Sequence, residues 1–175
     1  MAPRYPIRLP ALDPLELPVQ TGSIYPKPLD QVVNGRLKRR VGAALGLTDL
    51  GVSITVLMAG AATALRHYHT ENDEFVYIID GEVSLVTNRG EQILATGMCA
   101  GFPKGKKDGH HFVNKGDRPA LILEASTNKL PDSVAYPDNK LFLSLDTKRK
   151  VTFSDKPIKA APAKAPVKAK KKKRG

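Results

Sequence analysis

From residue 51 to residue 145 the chain is written in short apolar runs, five to eight residues each, rich in Val, Ile, Leu and Phe and cut by Gly, Asp and Asn. Runs of that length and composition read as strands. They are GVSITVLMAG, DEFVYIIDGEVSLVTNRGEQILATG, MCAGFP, HHFVNKGD, RPALILEAST and KLFLSL. Asp80-Gly81 reads as the clearest hairpin turn, because glycine takes a positive φ at no steric cost and the flanks EFVYII and EVSLV are strand-like. Asn88-Arg89-Gly90 and Lys115-Gly116-Asp117 read as looser turns of the same kind. A helix fits only around Leu37 to Leu47, where glycines weaken it. Many short strands with regular turns predict an all-β sandwich or small barrel.

Prolines and charge divide the chain further. Seven of the 14 prolines fall within the first 28 residues, a density that forbids a helix and interrupts any sheet ladder. Residues 1–29 are therefore expected to form an extended arm, lying along its own barrel or a partner subunit through apolar residues such as Tyr5, Ile7, Leu9 and Leu12. The net charge of +11 suggests a nucleic-acid binder, but nine basic residues and no acid lie from Lys156 onward. Without them the rest of the chain carries +2, so the polyanion signal belongs to a tail. That tail, residues 154–175, is almost all Ala, Lys and Pro at its end and is expected to be disordered. The folded unit is expected over 30–153. One cysteine excludes an intramolecular disulfide, and no segment reads as a signal peptide or a membrane span, so a soluble cytoplasmic protein is expected.

Four residues of the β region carry chemistry. His67 and His69 are two apart, which in a strand places both imidazoles on one face, able to reach one metal ion. Glu74 opens the run EFVYII, and His110 opens HHFVN. Three imidazoles and a carboxylate suit one divalent transition metal, Mn, Fe, Co, Ni or Zn, and not calcium or magnesium, which prefer oxygen ligands.

At these residues the sequence resembles the cupin superfamily. Its first motif is matched by Gly60, His67, His69, Glu74 and Gly81, and its second by Gly97, Pro103, Gly105, His110 and Asn114. Six residues, where the motif has five, separate Gly60 from His67, and four, where it has two, separate Gly105 from His110. Both insertions fall where loops are expected and bear on the shape of the pocket mouth. The resemblance implies a double-stranded β-helix, or jelly-roll barrel, with His67, His69, Glu74 and His110 as metal ligands. The chain is also similar to small bacterial single-domain cupins carrying RHxHxxxDEFVYxxxGE, GHHxVN and a late Tyr136-Pro137-Asp138, which implies sugar-phosphate isomerisation as the named possibility.

Other residues draw expectations too. Glu124 interrupts the apolar strand ALILEAST, so it either faces outward or is kept as a general acid or base. Lys104, Lys106 and Lys107 lie inside the second motif, where Lys106 and Lys107 can orient a substrate anion. Asn114 either ties down the following turn or touches substrate. His111 is expected to face away from His110, Arg66 away from the metal face, and Cys99 to be a buried small hydrophobe. The leading function is a metal-dependent, isomerase-like cupin acting on a small carbonyl, sugar-phosphate or carboxylate compound. The alternative is a non-catalytic module that binds or senses a small molecule, with the tail giving non-specific nucleic-acid contact. Strands such as FVYII are apolar on both faces, so a homodimer is expected.

Overall fold

The computed structural model describes residues 8–157. Twelve short strands and one single-turn helix are present among them: β1 (Arg36–Arg39), α1 (Val41–Ala44), β2 (Leu50–Leu57), β3 (Tyr68–His69), β4 (Glu74–Asp80), β5 (Glu82–Thr87), β6 (Gly90–Ala95), β7 (Cys99–Phe102), β8 (His111–Val113), β9 (Ala120–Thr127), β10 (Asp132–Tyr136), β11 (Leu141–Leu145) and β12 (Val151–Ser154). They form three antiparallel sheets, ordered β1-β2-β9-β4-β7, β12-β11-β10-β3 and β6-β5-β8. The all-β reading holds.

The two-residue period sorts the side chains between core and exterior. On β4, Val76 and Ile78 are buried while Phe75 and Tyr77 are 42% and 40% exposed. The inward set of β4 meets Ala120 and Ile122 of β9, Leu57 of β2, Val83 and Leu85 of β5, and Phe112 of β8. A second core gathers Leu65, Val134, Tyr136 and Leu143, and onto it pack Tyr25, Leu29 and Val32 from the N-terminal side. Gln20 also forms a two-bond bridge with Lys38. From Gln20 to Leu29 the arm therefore lies on its own barrel, whereas Leu9 and Leu15 nearer the N-terminus are exposed.

Several expectations change. Asp80-Gly81 is a turn in which Gly81 adopts φ +82°, but it closes no hairpin. β4 pairs with β7 and β9, whereas β5 pairs with β6 and β8, so the chain crosses from one sheet to another at this point. A Cβ on Gly81 would stand 3.1 Å from the Ala120 backbone, so side-chain bulk is excluded there as well. The tight hairpin is instead the one over Asn88-Arg89, closed by Thr87 opposite Gly90. Residues 37–47 are not one helix: the charged RLKR stretch pairs along β2, and only Val41–Ala44 is helical. Cys99 is exposed because β7 is an edge strand. The basic tail beyond Pro157, and with it the expected disorder and nucleic-acid contact, lies outside the described residues. Among the described residues no helix is long and apolar enough to cross a membrane.

Candidate metal centre

Sheet pairing brings three separate stretches of chain to one point. The His67 and His110 backbones exchange two hydrogen bonds of 3.0 and 2.8 Å. His69 pairs opposite Val134, and Glu74 opposite Phe102. The donor atoms of His67, His69 and Glu74 lie within 4.8 Å of one another, a grouping that could hold a metal ion. His110 joins them: its Nε2 is 3.0 Å from Oε2 of Glu74, while the Nε2 atoms of His67 and His69 stand 3.7 and 3.6 Å from the same carboxylate.

The outer ring nitrogens show which way the inner ones point. His67 Nδ1 donates to the Leu65 carbonyl at 2.8 Å, and a carbonyl only accepts, so Nδ1 holds the proton and Nε2 presents its lone pair inward. His69 Nδ1 lies 2.5 Å from Oδ2 of Asp132, a buried carboxylate that also accepts the Glu71 amide at 3.0 Å. His110 is fixed differently, by stacking on Phe102 with ring centres 3.4 Å apart and planes 4° from parallel. Its Nδ1 is buried without a hydrogen-bond partner, and Oε2 of Glu74, also buried, has only the 3.0 Å contact with His110 Nε2, which is not aligned as a hydrogen bond. Lone pairs facing a carboxylate repel one another unless a cation lies between, and an unpartnered buried carboxylate oxygen is costly. The donor set therefore fits a divalent transition metal.

The same groups are coupled electrostatically. Burial opposes ionisation of Glu74, but an inward proton on His110, His67 or His69 outweighs it and holds the carboxyl well below the usual range. Burial likewise disfavours protonated His69, yet Asp132 and Glu74 raise its affinity for a proton. Burial, aided by repulsion from His67, lowers that of His110.

The cluster opens into a cavity of about 590 Å³. His69, Glu74 and His110 lie in its wall beside Phe102 and Leu85, and Arg89, Lys106 and Lys107 supply cations. Lys106 and Lys107 thus line the cavity with the cluster. Asn114 does not: it is buried, donates to the carbonyls of Leu57 and Arg118 at 2.8 Å each and accepts the Gly116 amide at 3.0 Å, which ties down the turn. Glu124 is also outside this lining. It faces inward but accepts the Thr55 hydroxyl and pairs with Lys38 Nζ at 3.0 Å. His111 turns away and donates to the Ala64 carbonyl at 3.0 Å. Arg66 binds Asp138, Asn88 and the Gly109 carbonyl, and so ties together the loops behind the mouth. Cys99, expected in the core, lines the cavity.

Sequence reasoning missed Asp132, Arg89 and the stacking role of Phe102. Asp132 sits in DSVAY, bounded by Pro131 and Pro137, and only the pairing of β10 with β3 shows that it meets His69.

A cupin-domain model matches residues 53–126. A sugar phosphate isomerase of the cupin superfamily from Silicibacter pomeroyi is 38% identical, with a TM-score of 0.80 over 83% of this chain and 92% of that one. A candidate sugar phosphate isomerase from Acidithiobacillus ferrooxidans shares the fold at 24% identity and TM-score 0.64, over 69% of this chain and 76% of that one. A polyketide cyclase from Streptomyces resistomycificus shares it at 17% identity and TM-score 0.55, over 70% of this chain and 82% of that one. Curated proteins give no match. The chain belongs to the cupin superfamily, whose members commonly bind a metal.

Proposed function

We propose that this cupin is a metal-dependent enzyme acting on a small phosphorylated sugar, or a related carbonyl or carboxylate compound, with isomerisation as the reaction class. The observation that carries this reading is a single cavity combining a His and Glu cluster with the cations Arg89, Lys106 and Lys107. The 38% identical sugar phosphate isomerase supports it. His67, His69, Glu74 and His110 would hold one Mn, Fe, Co, Ni or Zn ion, which when bound supplies Lewis-acid polarisation of a substrate oxygen. Lys106 and Lys107, with Arg89, attract and orient the anionic end. Phe102 and Leu85 keep water from that part of the wall. Asp108 and Tyr68 are titratable groups of the lining outside the cluster, available to move a proton. Glu124, committed to Lys38 and Thr55, takes no part.

The test is turnover of a panel of aldose and ketose phosphates by the full chain loaded with each of the five metals in turn. Isomerisation of at least one is expected, and joint replacement of Lys106 and Lys107 by alanine should raise KM by about tenfold with kcat little changed. Saturable binding of these compounds without turnover on any metal would replace this reading with a non-catalytic binding module. We also infer a homodimer that covers Phe75 and Tyr77 on the outer sheet face. Light scattering of the eluting full chain should give twice the mass of one copy, and a monomer would count against it.

A further inference from the structure

A second cavity, of about 300 Å³, lies between residues 20–25 and the first strand, and it shares no lining residue with the histidine cavity. Its wall on the barrel side is Arg36, Lys38 and Arg40. Alternation along an extended chain sets such residues, two apart, side by side on one face. The opposite wall is held in place by the bridge in which the Gln20 amide donates to the Lys38 carbonyl at 2.8 Å and the Lys38 amide returns a bond of 3.0 Å.

The cations of this cleft are unequally matched. Lys38 pairs with Glu124. Arg36 feels the charge of Glu124 but makes no hydrogen bond to it: it donates only to neutral oxygens, the carbonyls of Thr63 at 2.6 Å and Gly22 at 2.9 Å, and its Nε is buried without an acceptor. Arg40 donates through Nε to the side-chain oxygen of Gln20 at 2.7 Å, again a neutral partner. No carboxylate belongs to the lining. Two guanidinium groups are thus held in place by neutral oxygens, with hydroxyls at hand: Thr21 is in the wall, and Ser23 Oγ accepts the Tyr25 amide at 2.9 Å and keeps its own proton to donate. Fixed guanidinium forks without carboxylate partners, in a concave site of small-molecule size, are complementary to an oxyanion.

We propose that this cleft binds the phosphate or carboxylate group of a small molecule, with Arg36 and Arg40 as the principal donors. Because one wall belongs to residues 20–25 and the other to β1 and the adjoining Arg40, the bound anion clips the N-terminal segment to the barrel. The site is independent of the metal centre and of any activity there.

Hydrogen exchange tests it on the full chain, with inorganic phosphate or citrate titrated at constant ionic strength. Either anion should slow exchange of the amides in residues 20–25, saturably, in the natural protein and equally in the variant with Lys106→Ala and Lys107→Ala, which silences the other cationic wall. Arg40→Glu, a change at an exposed side chain, should weaken the protection by at least about tenfold, because it replaces a charge-assisted bond by repulsion. Arg36→Gln should act in the same direction. The proposal is overturned if neither anion protects residues 20–25, if the protection disappears in the Lys106 and Lys107 variant, or if Arg40→Glu binds like the natural protein.

Discussion

Two inward-facing glutamates on neighbouring strands invite comparison. In the pairing of β4 with β9, Glu74 lies opposite Ser126 and Glu124 opposite Val76, so the two carboxylates occupy adjacent inward rows of the same sheet. Their side chains are equally sheltered, 22% and 21% exposed. Burial therefore does not distinguish them. Glu124 meets a lysine and a hydroxyl, partners that bring their own protons and leave it satisfied. Glu74 meets three imidazoles, two of which have their protons committed to the far side, and one of its oxygens accepts no hydrogen bond. The chemistry of the neighbours, more than the depth of the carboxylate, separates a structural ion pair from a place for a cation.

Removing each carboxylate in turn and measuring bound metal by elemental analysis separates the two surroundings. Glu74→Gln, or His67→Ala with His69→Ala, should reduce the metal from about one equivalent to below about a tenth, because a lost anionic or imidazole ligand is not replaced by any nearby donor. Glu124→Gln should leave metal content unchanged. Equal loss in both glutamate variants would show that the metal does not discriminate between the two surroundings.

A smaller effect is expected one residue further out. Asp132→Asn keeps the volume but removes the anion that orients His69 and raises its basicity, so metal affinity should fall by about 10- to 100-fold, read by competition with a chelator. Unchanged affinity would mean that His69 is held by β3 alone. The contrast with Glu124 would then rest only on Glu74 and its imidazoles.

How much of this could be read beforehand depends on how local the signal is. His67 and His69 were legible because alternation along an extended chain is a property of the chain itself, and Glu74 and His110 because they begin conspicuous apolar runs. The β class followed from the same runs. The partners of β4 and β5 were not legible: a glycine turn between two strand-like flanks looks the same whether the strands pair or part. RLKR and DSVAY escaped notice as strands because polar residues obscure the pattern, and Asp132 becomes a partner of His69 only through pairing between residues more than sixty positions apart. Glu124 stood out as an anomaly in an apolar strand, but it neither faces outward nor lines the cavity of the cluster. Its meaning lay in Lys38, which the sequence shows as one of many lysines.

The smallest expected effect concerns that pair. Lys38 and Glu124 are each about one-fifth exposed, so their attraction is partly screened, and replacing Glu124 by glutamine should cost about 1–2 kcal/mol, mainly by leaving a half-buried ammonium without its counter-ion. Lys38→Met alone removes the cation but leaves a carboxylate with only Thr55 as donor, at a similar cost. The double variant leaves neither charge uncompensated, so its cost should fall short of the sum of the single ones by about 1 kcal/mol, a coupling measured by chemical denaturation of all four proteins. Additive costs would show that Glu124 gains nothing from Lys38. It would then be, like Glu74, a carboxylate whose surroundings leave it open to another cation.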